Sequence, residues 1–263
     1  MWKTDIVAGA ILFISGAVLL SMSPDELSMI LVGIMVALMA FGYLLSVLPS
    51  SHYASGFRRA IKFIQKNRKN PSANLWVAVS QADVLFMNDT LDELFAEYKE
   101  KVHKRSAESA RSLYDVSDYI NESVLELKTW QRVTSQIPST LTALGILGTF
   151  IGLISGISGI HFSSVEVAVG SVQMLLSGIS TAFYTSVSGV ILSIVYTLVS
   201  RYIWNIMLQQ MDRFERDFHI YVSDSADVRD KLLRNANARD VLIHLDKLIS
   251  LLRSEEFGNG NDQ

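Results

Sequence analysis

Two apolar segments between residues 139 and 200 constrain this chain more than any other feature, because neither holds a charged side chain. The first reads Ser139-Thr140-Leu141-Thr142-Ala143-Leu144-Gly145-Ile146-Leu147-Gly148-Thr149-Phe150-Ile151-Gly152-Leu153-Ile154-Ser155-Gly156. The second runs from Ser171 to Ser200 and carries Thr181-Ala182-Phe183-Tyr184-Thr185-Ser186-Val187-Ser188-Gly189. Without charges, stretches of this length suit hydrocarbon better than a soluble core. Lipid-facing helices favour bulk carbon, closely packed helices favour small residues, and a polar seam calls for hydroxyls. These segments supply all three.

Composition agrees. The 263 residues are 49% hydrophobic, with mean hydropathy +0.28. Net charge is −3, which offers nucleic acid no attractive field. With no Cys, disulfides, iron–sulfur clusters and thiolate metal sites are excluded. His52, His103, His161, His219 and His244 are scattered without metal-ligand spacing. No Walker A loop, dinucleotide fingerprint or nucleophile elbow is present, so neither an enzyme nor a bound cofactor is expected.

Four stretches approach the roughly 20 apolar residues that cross about 30 Å of hydrocarbon: 6–22, 27–48, 141–160 and 172–199. Lys3 before the first run resembles a signal-peptide start. However, Ser21-Met22-Ser23-Pro24 is a poor cleavage site and another span follows at once, so the pair reads as a helical hairpin turned at 23–26. Pro24, Pro49, Pro71 and Pro138 all lie outside the apolar runs, where a helix start or stop costs least.

Positive charge sets the expected orientation. Arg58, Arg59, Lys62, Lys66, Arg68 and Lys69 follow the second span, with no acid between Pro49 and Asn70. The turn at 23–26 holds only Asp25 and Glu26, and the 161–170 connection only Glu166. Both termini and the basic cluster are therefore expected in the cytoplasm, with the cluster near lipid headgroups. The reading divides the chain into a transmembrane hairpin (1–48), a cytoplasmic helical insert (49–138), a transmembrane helix pair (139–200), a cytoplasmic helical tail (201–255) and a disordered end (256–263).

In the insert, Leu85, Leu91, Leu94, Phe95 and Tyr98 recur at helical spacing, and Leu113, Val116, Ile120, Val124, Leu127 and Trp130 predict one long amphipathic helix over 107–133. Beyond Ser200, Tyr202, Ile203, Ile206, Met207, Met211, Phe214, Phe218 and Tyr221 continue the fourth span as a helix. Another helix is expected over 226–252. Periodicity alone does not say whether these stripes pack within one subunit or between subunits.

Within the third span, Thr142, Gly145, Thr149, Gly152, Gly156 and Gly159 form a heptad-like seam, with Gly148 beside it. In the fourth, Gly178, Thr181, Thr185 and Ser188 repeat the pattern, widened by Ser177, Ser180 and Ser186. Such seams let backbones approach, and a hydroxyl can satisfy itself on its own helix. Several hydroxyls on one face also suit a hydrated surface. No Asp, Glu, Lys or Arg lies within a span, so a proton pathway would draw its titratable group from another chain.

Leu144-Gly145-Ile146-Leu147-Gly148-Thr149-Phe150-Ile151-Gly152 resembles the Leu-Gly-x-x-Gly-Thr-x-x-Gly signature of the MotA/TolQ/ExbB proton-channel family, and Gly178–Ile194 resembles that family's last membrane helix. Four spans are more similar to MotA, and the glycine signature is closer to TolQ and ExbB. The Ala-Phe-x-Thr-Ser-x-x-Gly stretch also resembles ZorA, the membrane subunit of an anti-phage system, whose cytoplasmic tail is far longer than the one expected here. The resemblance implies an all-α subunit of the bacterial inner membrane, without enzymatic activity. Five copies would surround two copies of a single-span partner carrying an intramembrane Asp. The complex would be a rotary motor driven by a proton or sodium gradient, with this chain as its ion-channel subunit. Thr149 matches the family's Gly-Thr threonine, and Ser186 or Thr185 its second pore hydroxyl. Thr181 or Ser180 stands where TolQ and ExbB place a Glu. The implied ion pathway is Thr149, Thr181, Thr185 and Ser186, with Gly145, Gly148, Gly152, Gly156 and Gly189 packing the helices. The alternative, a non-conducting membrane scaffold that recruits an effector, is separated from the motor by whether such a partner exists.

Overall fold

The computed structural model describes residues 2–68, 75–105, 115–159, 165–223 and 245. Within them every regular element is a helix. The order is α1 (Trp2–Ser21), α2 (Glu26–Gly42), α3 (Leu48–Asn67), α4 (Leu75–Ser80), α5 (Asp89–Arg105), α6 (Glu122–Lys128), α7 (Gln131–Thr134), α8 (Ile137–Ser158) and α9 (Val165–Phe218). Three continuous helical stretches are long and apolar enough to cross a membrane: Glu26–Asn67, Gln131–Ser158 and Val169–Val222. A shorter apolar stretch, Ile6–Ser21, lies in α1.

The α1–α2 turn is built as its residues require. Asp25 caps α2, its Oδ1 accepting the Ser28 amide at 3.2 Å, while the Ser28 hydroxyl lies 3.3 Å from the Asp25 amide. Pro49 behaves differently from its expected role as a stop, because the helix runs through it. A π-turn at Tyr43–Val47 precedes it, with the Leu48 amide bonding to the Tyr43 carbonyl. Widening the turn there accommodates the hydrogen bond proline cannot donate and its ring's clash with the preceding turn. Pro138 sits in the first turn of α8, where its missing amide costs little. Pro71 lies outside the described residues.

Two large cores lie among the described residues, besides a small cluster of Ala8, Val47 and Ile203. One joins Leu12 and Leu19 of α1, Val32, Met35 and Met39 of α2, Ile137 and Leu141 of α8, and Leu192 and Tyr196 of α9. The other gathers Phe57 of α3, Phe86, Phe95 of α5, and Phe214 and Phe218 of α9. Its rings meet edge-on: Phe86 to Phe214 with centroids 5.0 Å apart, and Phe95 to Phe218 at 6.0 Å. The extension of α9 beyond Ser200 therefore packs within its own chain, which periodicity had left open.

The long helix expected over 107–133 is not found among the described residues. Asp115 and Asn121 cap short turns with their side chains, and Trp130 adopts the left-handed conformation (φ 52°, ψ 25°) that ends α6. Leu125 fills the core instead of Leu127 and Trp130, which are exposed. Leu113, the 226–252 helix and the 256–263 end lie outside the described residues, apart from Leu245, a helical and exposed residue. Leu85 precedes its helix rather than lying in it. Its amide and that of Phe86 each donate to Asp92 Oδ1 at 2.8 Å, and the Asn88 amide donates to Oδ2 at 2.9 Å.

Candidate functional site

α8 and α9 run side by side over the glycine segments. Gly145, Gly148, Gly152 and Gly156 are buried on the face of α8 turned to α9. A methyl at Gly145 would lie 3.3 Å from the Gly189 Cα, one at Gly148 would run into the Thr185 side chain, and one at Gly152 would lie 2.8 Å from the Ala182 amide nitrogen. On the facing helix, a methyl at Gly178 would come within 2.5 Å of both the Gly152 oxygen and the Gly156 Cα. Backbone thus packs on backbone, as small residues permit.

The packed stripe differs in phase from the heptad reading. Leu141, Gly145, Gly148, Gly152 and Gly156 are buried, whereas Thr142 and Thr149 are half-buried at its flank. From 141 to 156 the steps are 4, 3, 4 and 4, near the 3.6 spacing of a straight α-helix rather than the 3.5 of a supercoil. Gly148, not Thr149, meets Thr185. The Thr149 hydroxyl turns back to the Ile146 carbonyl at 2.5 Å.

On α9, Gly178, Thr181, Ala182, Thr185, Ser188 and Gly189 are all buried. Thr185, with no exposed surface, has its hydroxyl 2.9 Å from the Thr181 carbonyl and 3.1 Å from that of Ala182. The Ser188 hydroxyl is also fully buried, with no hydrogen-bond partner among the described residues. Ser186 is half-buried, while Ser177 and Ser180 are exposed. The sequence-predicted residues therefore separate into two groups: Thr181 and Thr185 lie within the helix pair, and Thr149 and Ser186 reach its surface.

One contact had no signal in the sequence. The Thr181 hydroxyl, on a residue 2% exposed, donates to Asp25 Oδ2 at 2.6 Å, across 156 residues. A cavity of ≈ 230 Å³ opens there, lined by Asp25, Leu27, Gly152, Ser155, Met174, Ser177, Gly178 and Thr181. Burial pushes the Asp25 carboxyl up, but hydrogen bonds from Ser28 and Thr181 outweigh it and hold the group below its ordinary range. The chain thus brings its own carboxylate to the seam, although the apolar runs read from the sequence contain none.

Elsewhere, His219 Nε2 lies 3.0 Å from Asp115 Oδ1 and 3.9 Å from Glu215 Oε1. These three could together hold a metal ion, an arrangement that histidine spacing alone did not show. The Glu215 carboxyl is raised, by burial first and then by Asp115 and Asp212, with His219 opposing.

Residues 14–224 match the family described as "Anti-phage protein ZorA, Zorya type I system". The chain belongs to the ZorA-like family. A curated relative, the Zorya protein ZorA of Escherichia coli strain Crooks, is 42% identical over 59 residues, which is 22% of this chain and 10% of that protein. The chain thus aligns with only a tenth of that ZorA's length. Family membership favours the anti-phage branch of the resemblance over a flagellar or envelope-energising one.

Proposed function

We propose that the chain is the ion-conducting membrane subunit of an ion-driven motor in a Zorya-type anti-phage system. The observation that carries this reading is the α8–α9 pair, where hydroxyls recur on charge-free segments that apolar packing alone would fill with carbon. Thr149 and Ser186, half-buried at the pair's surface, are the hydroxyls offered to a partner, and Thr181 and Thr185 lie behind them. Membership of the ZorA-like family supplies the anti-phage context.

In this reading α1 is a fourth span. Its Leu12 and Leu19 pack with α2 while Phe13, Ile14 and Val18 face outward. The outward apolar residues of α8 and α9, among them Phe150, Ile154, Phe183 and Val187, meet lipid or neighbouring copies in a pentamer. Two copies of a single-span partner contribute the intramembrane Asp. The exposed basic face of α3, Arg58, Arg59 and Lys62, lies on the cytoplasmic side, as do both termini. A membrane potential supplies about 2.3 kcal/mol per charge per 100 mV, so a few ions per step perform substantial work.

The test is phage plating on cells that express the chain with its genomic neighbours. Thr149→Val with Ser186→Ala should abolish protection while the membrane complex still purifies intact. Full protection by the assembled double variant would favour the non-conducting scaffold.

A further inference from the structure

We propose that the cavity between the α1–α2 turn and the α8–α9 pair is a binding site for an alkali cation, held by the Asp25 carboxylate with the hydroxyls of Thr181, Ser177 and Ser155.

The lining carries this assignment. Its side-chain polar groups are one carboxylate and three hydroxyls, and Leu27 and Met174 supply apolar wall. Hard cations take oxygen ligands, and hydroxyl and carbonyl oxygens can replace part of a hydration shell. One carboxylate matches one positive charge. Glu26 is the adjacent acid, exposed on α2, and among the described residues no other titratable group lines the cavity. At about 30 Å³ per water, ≈ 230 Å³ holds an ion that keeps several of its waters.

The carboxylate is fixed in place. Ser28 donates to Oδ1 and Thr181 to Oδ2. An ionised carboxylate offers about four acceptor positions, so these two bonds leave capacity facing the cavity. The depressed carboxyl pKa agrees, since the group remains charged at neutral pH.

Position gives the site its role. Asp25 stands in the α1–α2 turn, between the apolar runs 6–22 and 27–48 and outside both, and Thr181 meets it there. The site therefore lies at one rim of the membrane. The buried hydroxyls of Thr185 and Ser188 lead away from it along the same helix face. Its place at the mouth of an ion path rests on the conducting reading above, whereas binding does not.

The experiment is a ²³Na NMR titration of the purified chain in nanodiscs. Asp25→Asn is the decisive variant, because Asn caps a helix about as well as Asp: its one acceptor oxygen keeps the Ser28 amide, the charge is lost, and the Thr181 hydroxyl released from Oδ2 keeps the Ser177 carbonyl, 3.1 Å away, as its acceptor. Wild type should broaden the sodium resonance saturably, and Asp25→Asn should weaken that binding at least tenfold while circular dichroism shows the helices of the chain intact. Thr181→Val should weaken it to a smaller extent. Equal titration of wild type and Asp25→Asn, or no saturable broadening in wild type, overturns the proposal. Calcium displacing sodium at far lower concentration would make the site divalent and overturn the monovalent assignment. Sodium binding in a complex that conducts no ions would leave the site standing and remove the conducting reading, so the two failures are distinct.

Discussion

Gly178→Ala should be among the most damaging single-methyl changes in the membrane half of this chain. The new Cβ would lie 2.5 Å from the Gly152 oxygen and the Gly156 Cα, and 2.7 Å from the Gly156 nitrogen. All three are backbone atoms of a packed helix, so no side chain can swing away. Restoring an ordinary 3.4 Å contact requires the helices to part by about 0.9 Å, the difference between 3.4 and 2.5 Å. A gap of 0.5–1 Å forfeits a quarter to a half of each contact well, and roughly twenty atom pairs at ~0.15 kcal/mol each then lose about 1 kcal/mol. Overpacking costs of this kind run to ~1–3 kcal/mol. Gly152→Ala, with two backbone atoms at 2.8 Å, should behave alike. Gly170→Ala meets nothing within 4 Å, and Gly33→Ala meets only Leu20 Cδ2, at 3.9 Å. Both should be neutral or stabilising by up to about 1 kcal/mol through helix propensity. Thermal or denaturant unfolding in detergent, read by circular dichroism, gives the ranking. If Gly178→Ala is as stable as Gly170→Ala, the seam is not a close-packed contact and the reasoning fails.

Asp92→Ala removes the acceptor for the amides of Leu85, Phe86 and Asn88. It should cost about 3 kcal/mol and expose the loop before α5 to limited proteolysis. Glu215→Gln should raise the melting temperature near pH 8, because a carboxyl raised in the folded state destabilises that state when ionised. Stability gained by protonating Glu215 appears as pH falls, so the variant's advantage should shrink toward about pH 4–5. A variant whose advantage grew on acidification would reverse that sign. A reporter fused after Asn70 should read cytoplasmic and one after Glu166 external, and the opposite pattern would overturn the proposed orientation.

The helices of this chain were legible because its apolar runs are long and its prolines and glycines sit at meaningful spacings. The partner face of α8 was nearly legible. Gly145, Gly152 and Gly156 belong to both a 3.5 and a 3.6 repeat, and only packing shows that Gly148 is inside and Thr149 at the flank. Pro49 misled because a π-turn can absorb a proline without ending a helix. The 107–133 stripe misled because Asp115 and Asn121 compete as side-chain caps, an alternative to helix that hydrophobic periodicity does not register. The Asp25–Thr181 contact was invisible for a topological reason. It joins residues on two hairpins 156 positions apart, and the sequence marks Asp25 only as a turn residue and an orientation signal.

The central claim is that ions cross this membrane beside the hydroxyls that α8 and α9 present. Its most direct test is proton and sodium uptake into proteoliposomes holding the chain and its partner under an imposed potential, using pH-sensitive and sodium-sensitive dyes. Wild type should take up one of the two ions, and Thr149→Val with Ser186→Ala should reduce that uptake at least tenfold while the reconstituted complex keeps its size. Undiminished uptake by the intact double variant, or no uptake of either ion by wild type, would contradict the account.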